Sequence, residues 1–119
     1  MDIINKVSEC EEMTMSVIWD ATHDLALEEV MNEVNRRYGK TWKPQTVSTF
    51  LTRLRTKGFL NMYRKGRYAY YQPLVTKEEY CQYELLIMAE RFYGGNLGML
   101  ARETAKLDNT KCGFTAEIL

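Results

Sequence analysis

Residues 44–73 read PQTVSTFLTRLRTKGFLNMYRKGRYAYYQP, and they carry the clearest signals of local structure in the chain. It opens with Pro44, a residue that suits the first position of a helix. An apolar stripe then recurs at helical spacing and consists of Val47, Phe50, Leu51 and Leu54. Gly58 ends this pattern, as glycine commonly does after the last turn of a helix. The first half of the stretch therefore predicts a helix from Pro44 to Lys57.

The second half of the stretch changes its period. Residues 59–63 and 68–72 are rich in aromatic side chains, which favour strands. The segment Arg64-Lys65-Gly66-Arg67 lies between them and places glycine where a tight turn needs it, and Pro73 ends the second strand. These features predict a β-hairpin with a cationic tip that carries Arg64, Lys65 and Arg67.

Two more helices are predicted on the N-terminal side of this stretch. Ser8 and Glu11 have the spacing of a capping box, which predicts a helix from Ser8 to Asp20. The next apolar stripe stops at Gly39 and consists of Leu27, Val30, Met31, Val34 and Tyr38. Three helices followed by a hairpin is the order of a winged helix-turn-helix domain, in which the third helix lies in the DNA major groove. We therefore expect a mainly α fold with a small β-hairpin.

The C-terminal side is predicted to be helical. Thr76 and Glu79 form a second capping-box pair, and the helix that follows them runs to Gly94-Gly95. The apolar residues of this helix lie on more than one of its sides, which is more apolar surface than the core of one small domain can cover. A shorter helical segment extends from Leu97 to Leu107, and the weakly patterned tail after it contains Phe114, Ile118 and Leu119.

This wide apolar face indicates that the helices after Pro73 serve association with a second copy. We expect residues 1–73 to form a winged-helix domain and residues 74–119 to form a helical dimerisation region. The residues predicted to lie in the dimer interface are Tyr80, Tyr83, Leu86, Ile87, Met88, Phe92, Leu97 and Leu100.

The charge of the chain is unevenly distributed along its 119 residues. The totals of 16 basic and 16 acidic residues cancel, but residues 36–67 carry ten basic residues and no acidic one. Residues 1–35 carry one basic residue against nine acidic ones, and residues 68–119 carry five against seven. A polyanion is the natural partner of such a basic segment. Alternatively, the basic residues pair with the acidic N-terminal helices of the same molecule.

Composition and spacing exclude several other classes of protein. A chain of 119 residues fits one compact domain with a short appended segment, and no apolar run approaches the ~20 residues that span a bilayer. The N-terminus lacks the pattern of a secretory signal, so we expect a cytoplasmic protein without membrane insertion. Cys10, Cys81 and Cys112 lie too far apart for a zinc site or a disulfide framework and are expected to be free thiols. No metal or other cofactor is expected.

The predicted third helix carries short hydrogen-bonding side chains opposite its apolar stripe. They are Gln45, Thr49, Thr52 and Thr56, with Ser48 and Arg53 on the flanks. Glutamine can bond adenine, arginine can bond guanine, and a threonine methyl group can contact the thymine methyl, so this face can read bases. Lys43 stands at the N-cap, where it is a poor cap but suits a bound phosphate. An ordinary solvated helix face is the alternative.

The hairpin offers two further possibilities. Its cationic tip suits contacts with the phosphate backbone of DNA, and the alternative is a turn that merely keeps the surface soluble. Its aromatic residues, Tyr63, Tyr68, Tyr70 and Tyr71, could stack on bases as in proteins that bind single strands. Strand alternation instead directs part of them into the core.

Four segments between Ser8 and Gly95 carry a family resemblance. They are SECEEMTMSVIW (8–19), GKTWKPQTVSTFLTRLRTKGFL (39–60), RKGRYAYYQPLVTKEEY (64–80) and FYGG (92–95). Together they resemble the BlaI/MecI/CopY family of penicillinase-repressor-type transcriptional regulators. The resemblance implies a cytoplasmic, homodimeric bacterial repressor whose C-terminal helices dimerise and whose N-terminal domains bind palindromic operators. By this likeness the residues that meet DNA are Lys43, Gln45, Thr46, Thr49 and Arg53.

The sequence departs from the family pattern at two points. Copper-responsive members carry C-terminal Cys-x-Cys pairs, whereas this tail holds only Cys112, so metal sensing is not predicted. Antibiotic-responsive members have a membrane sensor-protease as partner, which cuts the dimerisation region at an Asn-Phe bond. The sequence from Asn96 to Leu119 contains no such bond, so release by that cut is not predicted.

The leading functional hypothesis is therefore a sequence-specific repressor that binds double-stranded operator DNA as a homodimer. The alternative is a winged-helix docking module whose basic face binds an acidic protein, because this fold alone does not decide the role. An enzyme is not expected. His23 is the only histidine and lies in a predicted turn, so a catalytic triad could be assembled only around it, and a lone histidine is usually a surface or capping residue. The sequence shows no recognisable pair of nucleophile and base.

Overall fold

The computed structural model describes residues 7–107, which form five helices and three strands. In chain order these are α1 (Glu9–Asp20), β1 (Leu25–Ala26), α2 (Leu27–Tyr38), α3 (Pro44–Thr56), β2 (Leu60–Lys65), β3 (Tyr68–Pro73), α4 (Lys77–Tyr93) and α5 (Leu97–Ala105). The chain divides between Tyr80 and Cys81 into two compact units. The tail positions Cys112, Phe114, Ile118 and Leu119 lie outside the described residues.

Both predicted capping boxes are present. The Ser8 side chain accepts a hydrogen bond from the Glu11 N–H at 3.2 Å, and the Glu11 carboxylate accepts the Ser8 N–H at 2.8 Å. Thr76 and Glu79 exchange the same pair of bonds at 3.0 and 2.9 Å. Because the capping residue itself lies outside the helix, α1 begins at Glu9 rather than at the predicted Ser8.

The third helix begins at Pro44 as predicted and ends one residue before the predicted Lys57. The chain turns there because Gly58 adopts φ +84°, a left-handed conformation that costs glycine little. The Phe59 N–H then bonds the Leu54 carbonyl oxygen at 2.9 Å and closes the last turn. Lys57 is thus the cap of α3, at the point where the chain enters the hairpin.

Strands β2 and β3 form the predicted antiparallel hairpin, with Lys65 paired to Tyr68. The two-residue loop has positive φ at Gly66 and not at Arg67, which is the combination of a type II′ turn. The unpredicted β1 adds to the other side of β3, so that the strand order is β1-β3-β2. Two residues are too few to show a strand period, and this strand exists because Leu25 pairs with Tyr71.

The first unit has one core, built from the inner faces of α1 to α3 and the sheet. Its fully buried side chains include Met15, Val17, Val30, Val34, Val47, Leu51, Leu54 and Phe59. The indole N–H of Trp19 donates a 2.8 Å hydrogen bond to the Val75 carbonyl oxygen, which fixes the segment after β3 to α1.

The first turn of α4 also belongs to this core, which corrects one prediction. Tyr80 was expected in the dimer interface, but only 7% of it is exposed. Its ring centroid lies 5.3 Å from that of Trp19 and 5.8 Å from that of Phe59, and its hydroxyl donates to Glu12 at 2.8 Å. The folded winged-helix unit therefore extends beyond the expected Pro73 to Tyr80.

The second unit comprises the rest of α4 and α5. Asn96 caps α5 by accepting the Met99 N–H at 3.0 Å. Leu100, another residue expected in the dimer interface, is only 8% exposed within one chain and offers little surface to a partner. By contrast, several large apolar side chains of this unit are exposed, namely Leu85, Leu86, Met88, Phe92, Leu97, Met99 and Leu107. Among residues 7–107, no helix combines the length and apolar character needed to cross a membrane.

Candidate nucleic-acid interface

Helix α3 presents two contrasting faces. Val47, Leu51 and Leu54 are completely buried and hold the helix against the core. The other face is polar: Lys43, Gln45, Thr49, Thr52 and Arg53 are exposed, and Thr46 and Ser48 are half-buried. The structure thus brings all the α3 residues predicted to meet DNA onto the solvent-facing part of one helix and its cap.

Two threonines on this face have hydroxyl groups that are already bonded to the helix. The Thr49 hydroxyl donates to the Gln45 carbonyl oxygen at 3.0 Å, and the Thr56 hydroxyl donates to that of Thr52, also at 3.0 Å. Each hydroxyl oxygen keeps free lone pairs after donating its proton. These side chains are therefore suited to accept hydrogen bonds from the amino groups of adenine or cytosine in the major groove.

The turn that leads into α3 is held by an asparagine that no sequence pattern predicted. The Asn35 side chain donates to the Trp42 carbonyl oxygen at 3.1 Å and accepts the Trp42 N–H at 2.9 Å. The Trp42 ring lies 4.9 Å from the Phe50 ring, and the Arg53 guanidinium lies 5.9 Å from the centroid of the same Phe50 ring. The cation–π contact with Phe50 favours a fixed position of Arg53 on the exposed side of the helix.

The hairpin tip is exposed and fixed at its base. Arg64, Lys65 and Arg67 all face solvent. The Tyr63 hydroxyl donates a 2.6 Å hydrogen bond to the Asp24 carboxylate, which raises the pKa of Tyr63, and its ring stacks on Tyr70 at 5.8 Å. These contacts tie β2 to the loop before β1.

The hairpin tyrosines do not form one open platform for stacking on bases. Tyr71 is only 8% exposed and belongs to the core, and Tyr63 and Tyr70 stack on each other. Tyr68 is 61% exposed. The strand alternation that was expected to send part of these rings inward is therefore observed.

Intramolecular pairing accounts for only part of the basic segment 36–67. Arg36 pairs with Glu33, Arg37 pairs with Asp20 at 2.8 Å, and Lys57 pairs with Glu11 at 2.6 Å. Within residues 7–107 no ion pair involves Lys40, Lys43, Arg53, Arg55, Arg64, Lys65 or Arg67. This remaining positive charge lies on α3, on the turn before it and on the hairpin tip.

A groove of about 390 Å³ between the end of α3 and β2 extends the polar surface. Its lining includes Arg55 and Asn61, which were absent from the predicted site, together with Thr52 and Thr56. Arg55 lies beside the polar arc of α3 rather than on it, so helical spacing does not predict it as part of that face. In the described part of the chain, no three His, Cys, Asp or Glu side chains converge as a metal site would require.

The sequence of the chain is similar to that of a known protein family. A sequence model of the family described as "Penicillinase repressor" matches residues 7–111. The penicillinase repressor of Bacillus licheniformis is 33% identical over 100 residues, which cover 84% of this chain and 76% of that protein.

Two solved structures are similar to the chain. The solution structure of the DNA-binding domain of the repressor BlaI shares 34% identity and a TM-score of 0.56, and the match covers 66% of this chain and 93% of that one. The solution structure of monomeric B. licheniformis BlaI in complex with the blaP half-operator shares 34% identity and a TM-score of 0.52, with 62% and 87% covered. The predicted winged-helix fold is thereby confirmed.

Proposed function

The chain belongs to the penicillinase repressor family of DNA-binding transcriptional repressors, and from this premise we propose that it acts as a homodimer on a palindromic operator. The observation that carries the proposal is the polar, solvent-facing side of α3, which carries Lys43, Arg53 and Arg55, and these three form no ion pair within residues 7–107. The family is not a class of enzymes, and we propose no catalytic activity and no cofactor. Its place of action is the cytoplasm, where the bacterial chromosome lies.

We assign different tasks to the exposed groups. Base reading falls to α3, with Gln45, Thr46, Ser48, Thr49, Thr52 and Arg53. Backbone phosphates are held by Lys43 at the positive end of the α3 dipole and by the tip residues Arg64, Lys65 and Arg67. Such a division is typical of winged helix-turn-helix proteins, because phosphate contacts fix the register and base contacts supply the specificity.

The homodimer is supported by an uncovered apolar stripe on α4. Leu85, Met88 and Phe92 recur at helical spacing and are 50%, 46% and 66% exposed. A contiguous exposed apolar surface marks an interaction site, and two-fold symmetric pairing is the commonest way for a chain to cover it. Leu85 was missing from the predicted interface, although its spacing from Met88 and Phe92 is visible in the sequence.

The palindromic operator is supported by the relative solved with DNA. In that structure one BlaI monomer is bound to a half-operator. Two copies of this chain related by a two-fold axis would occupy two inverted half-sites, about 34–36 Å apart along the DNA. A membrane sensor-protease is a further proposed partner, and its cut would have to fall at a bond other than Asn-Phe.

The decisive experiment selects bound duplexes from a random-sequence library and then compares the selected duplex with a scrambled one at fixed salt. We expect an inverted repeat and an affinity for it at least about a thousandfold higher than for the scrambled duplex. A docking module for an acidic protein would retain all duplexes weakly and equally. Selection that returns no repeat would therefore favour the docking module.

Base reading by α3 gives a prediction for Gln45 and Thr49. Replacing either by alanine should cost about 1–3 kcal/mol of binding free energy per half-site on the operator. Folding should change by no more than about 0.5 kcal/mol, because both side chains are exposed. The measurement is a pair of titrations per variant, on operator and scrambled duplex. Equal losses on both duplexes would show that these residues do not read bases.

The tip residues give a prediction about salt. Neutralising Arg64, Lys65 and Arg67 should weaken binding to every duplex and reduce the slope of log K against log salt by roughly 0.9 per lost phosphate contact. Preference for the operator should persist, because phosphates carry no base sequence. Replacing Lys106, a lysine at the end of α5 that pairs with Glu103, serves as the control for lost charge. An unchanged slope would exclude the tip from the interface.

A further inference from the structure

One carboxylate lies in the core of the winged-helix unit although it carries charge. Glu11 is 1% exposed, and its Oε1 accepts two hydrogen bonds, from the Ser8 N–H at 2.8 Å and from the Lys57 ammonium at 2.6 Å. Its Oε2 is buried and has no hydrogen-bond partner within the described residues. A capping box needs only the first of these bonds, so the capping function leaves the burial and the lysine unexplained.

The charged state of this carboxylate depends on Lys57. Burial pushes the pKa of Glu11 upward, but the hydrogen bond from Lys57, the Ser8 N–H and the positive charge of Lys57 together hold it below its usual value. A buried ion is costly unless it is paired, and a buried pair is on balance weak support for stability. Such a pair is better suited to selecting one geometry of the elements that it joins.

The two partners join the first turn of α1 to the end of α3. Lys57 is the residue that caps α3, and its side chain is 25% exposed. The start of α3 is held separately by the two hydrogen bonds between Asn35 and Trp42. The buried stripe of Val47, Leu51 and Leu54 holds the middle of the helix against the core. The Glu11–Lys57 pair adds a fixed point at the end of α3 and so contributes to the direction in which its polar face is presented.

We propose that Glu11 and Lys57 are positioning residues for base recognition: the ion pair sets the orientation of α3 and thereby the discrimination between operator and other DNA. This inference rests on the proposed function of α3. Glu11 has no surface for DNA to touch, so it can act only through Lys57 and the helix ends that it holds. The rival role for Glu11 is simple repulsion of DNA by its negative charge. In that case its removal would raise the affinity for all duplexes alike and leave the discrimination between them unchanged.

The test uses the full chain with Glu11→Gln, which keeps the size of the side chain and the capping acceptor but removes the charge. The readout is the ratio of affinities for the selected operator and a scrambled duplex, at a temperature where circular dichroism shows the variant folded. We expect the ratio to fall about tenfold, the effect of one mismatched base pair. A purely structural role would lower the melting temperature and leave this ratio unchanged.

A second variant guards against loss of folding in the first. Glu11→Gln combined with Lys57→Met removes the pair without leaving a buried unpaired charge, and such neutral replacements are usually tolerated. Because either change already breaks the pair, the double variant should show the same tenfold fall in the ratio rather than a multiplied one. Glu79→Gln, which removes the other predicted capping-box charge, is the matched control and should keep the wild-type ratio.

The outcomes separate this inference from the proposed function. A wild-type chain that does not discriminate between the duplexes would contradict the proposed function itself. A discriminating wild type together with an unchanged ratio in either folded variant would overturn the positioning role alone. A tenfold fall in both variants, with Glu79→Gln unaffected, supports it.

Discussion

Replacing Met88 and Phe92 by aspartate should make the chain monomeric and lower its affinity for the operator at least about a hundredfold. Both side chains are exposed on α4, at 46% and 66%, and an interface there would have to bury the new charges. Two linked half-site contacts bind more tightly than one by a factor of roughly 10² to 10⁴, and a monomer loses that factor. Sedimentation measures the association state, and titration on whole operator and half-operator measures the affinity.

The half-operator provides the internal standard for this prediction. In the proposed complex each chain binds one half-site, so the aspartate variant should bind the half-operator as well as the wild type does. Glu84→Asp with Glu90→Asp is the matched control, since it puts aspartate at exposed polar positions of α4 without changing the apolar stripe. A variant that stays dimeric would place the interface elsewhere.

Replacing Tyr80 by alanine should lower the free energy of unfolding by about 3–5 kcal/mol, the usual cost of deleting a large buried ring. Tyr80 packs against Trp19 and Phe59, and its removal leaves a cavity at the base of the core. Urea unfolding followed by tryptophan fluorescence measures the loss, because Trp19 is one of the contacting rings.

Tyr80→Phe is the control and should lose only about 1 kcal/mol, since it removes the hydrogen bond to Glu12 and keeps the ring. The same reasoning applies to truncation. A chain ending at Pro73 should be destabilised like Tyr80→Ala, whereas a chain ending at Tyr83 should keep the full core. Equal stability of the two truncated chains would mean that Tyr80 contributes nothing to the winged-helix unit.

The elements that the sequence predicted are those with local signals. Two capping boxes, a proline at the start of α3 and glycine after its end mark boundaries that depend only on neighbouring residues, and the structure keeps all of them. Strand β1 had no such signal, because Leu25 becomes a strand residue only through its pairing with Tyr71. Periodicity likewise puts Tyr80 on the apolar side of α4. It does not show whether that side packs on the core of the same chain or on a second copy.

The candidate site was predictable to a similar extent. Helical spacing alone puts Gln45, Thr49 and Arg53 opposite a buried stripe, so their exposure follows from local geometry. The support beneath them was not predictable. Asn35 bonds Trp42 across the turn between α2 and α3, and no periodic pattern marks that contact. Glu11 pairs with Lys57, which lies 46 residues further along the chain, so that contact arises only when α1 meets the end of α3.

The strand order β1-β3-β2 leaves the outer side of β2 as a sheet edge that no strand of the described chain covers. An open edge of this kind can pair with the same edge of another molecule and start aggregation, and proteins commonly prevent this with short strands and lysine or arginine side chains. Strand β2 has six residues and ends in Arg64 and Lys65. The cations assigned to phosphates thus also repel a second copy of the edge, so a variant that neutralises them gives up a protection against self-association whenever DNA is absent.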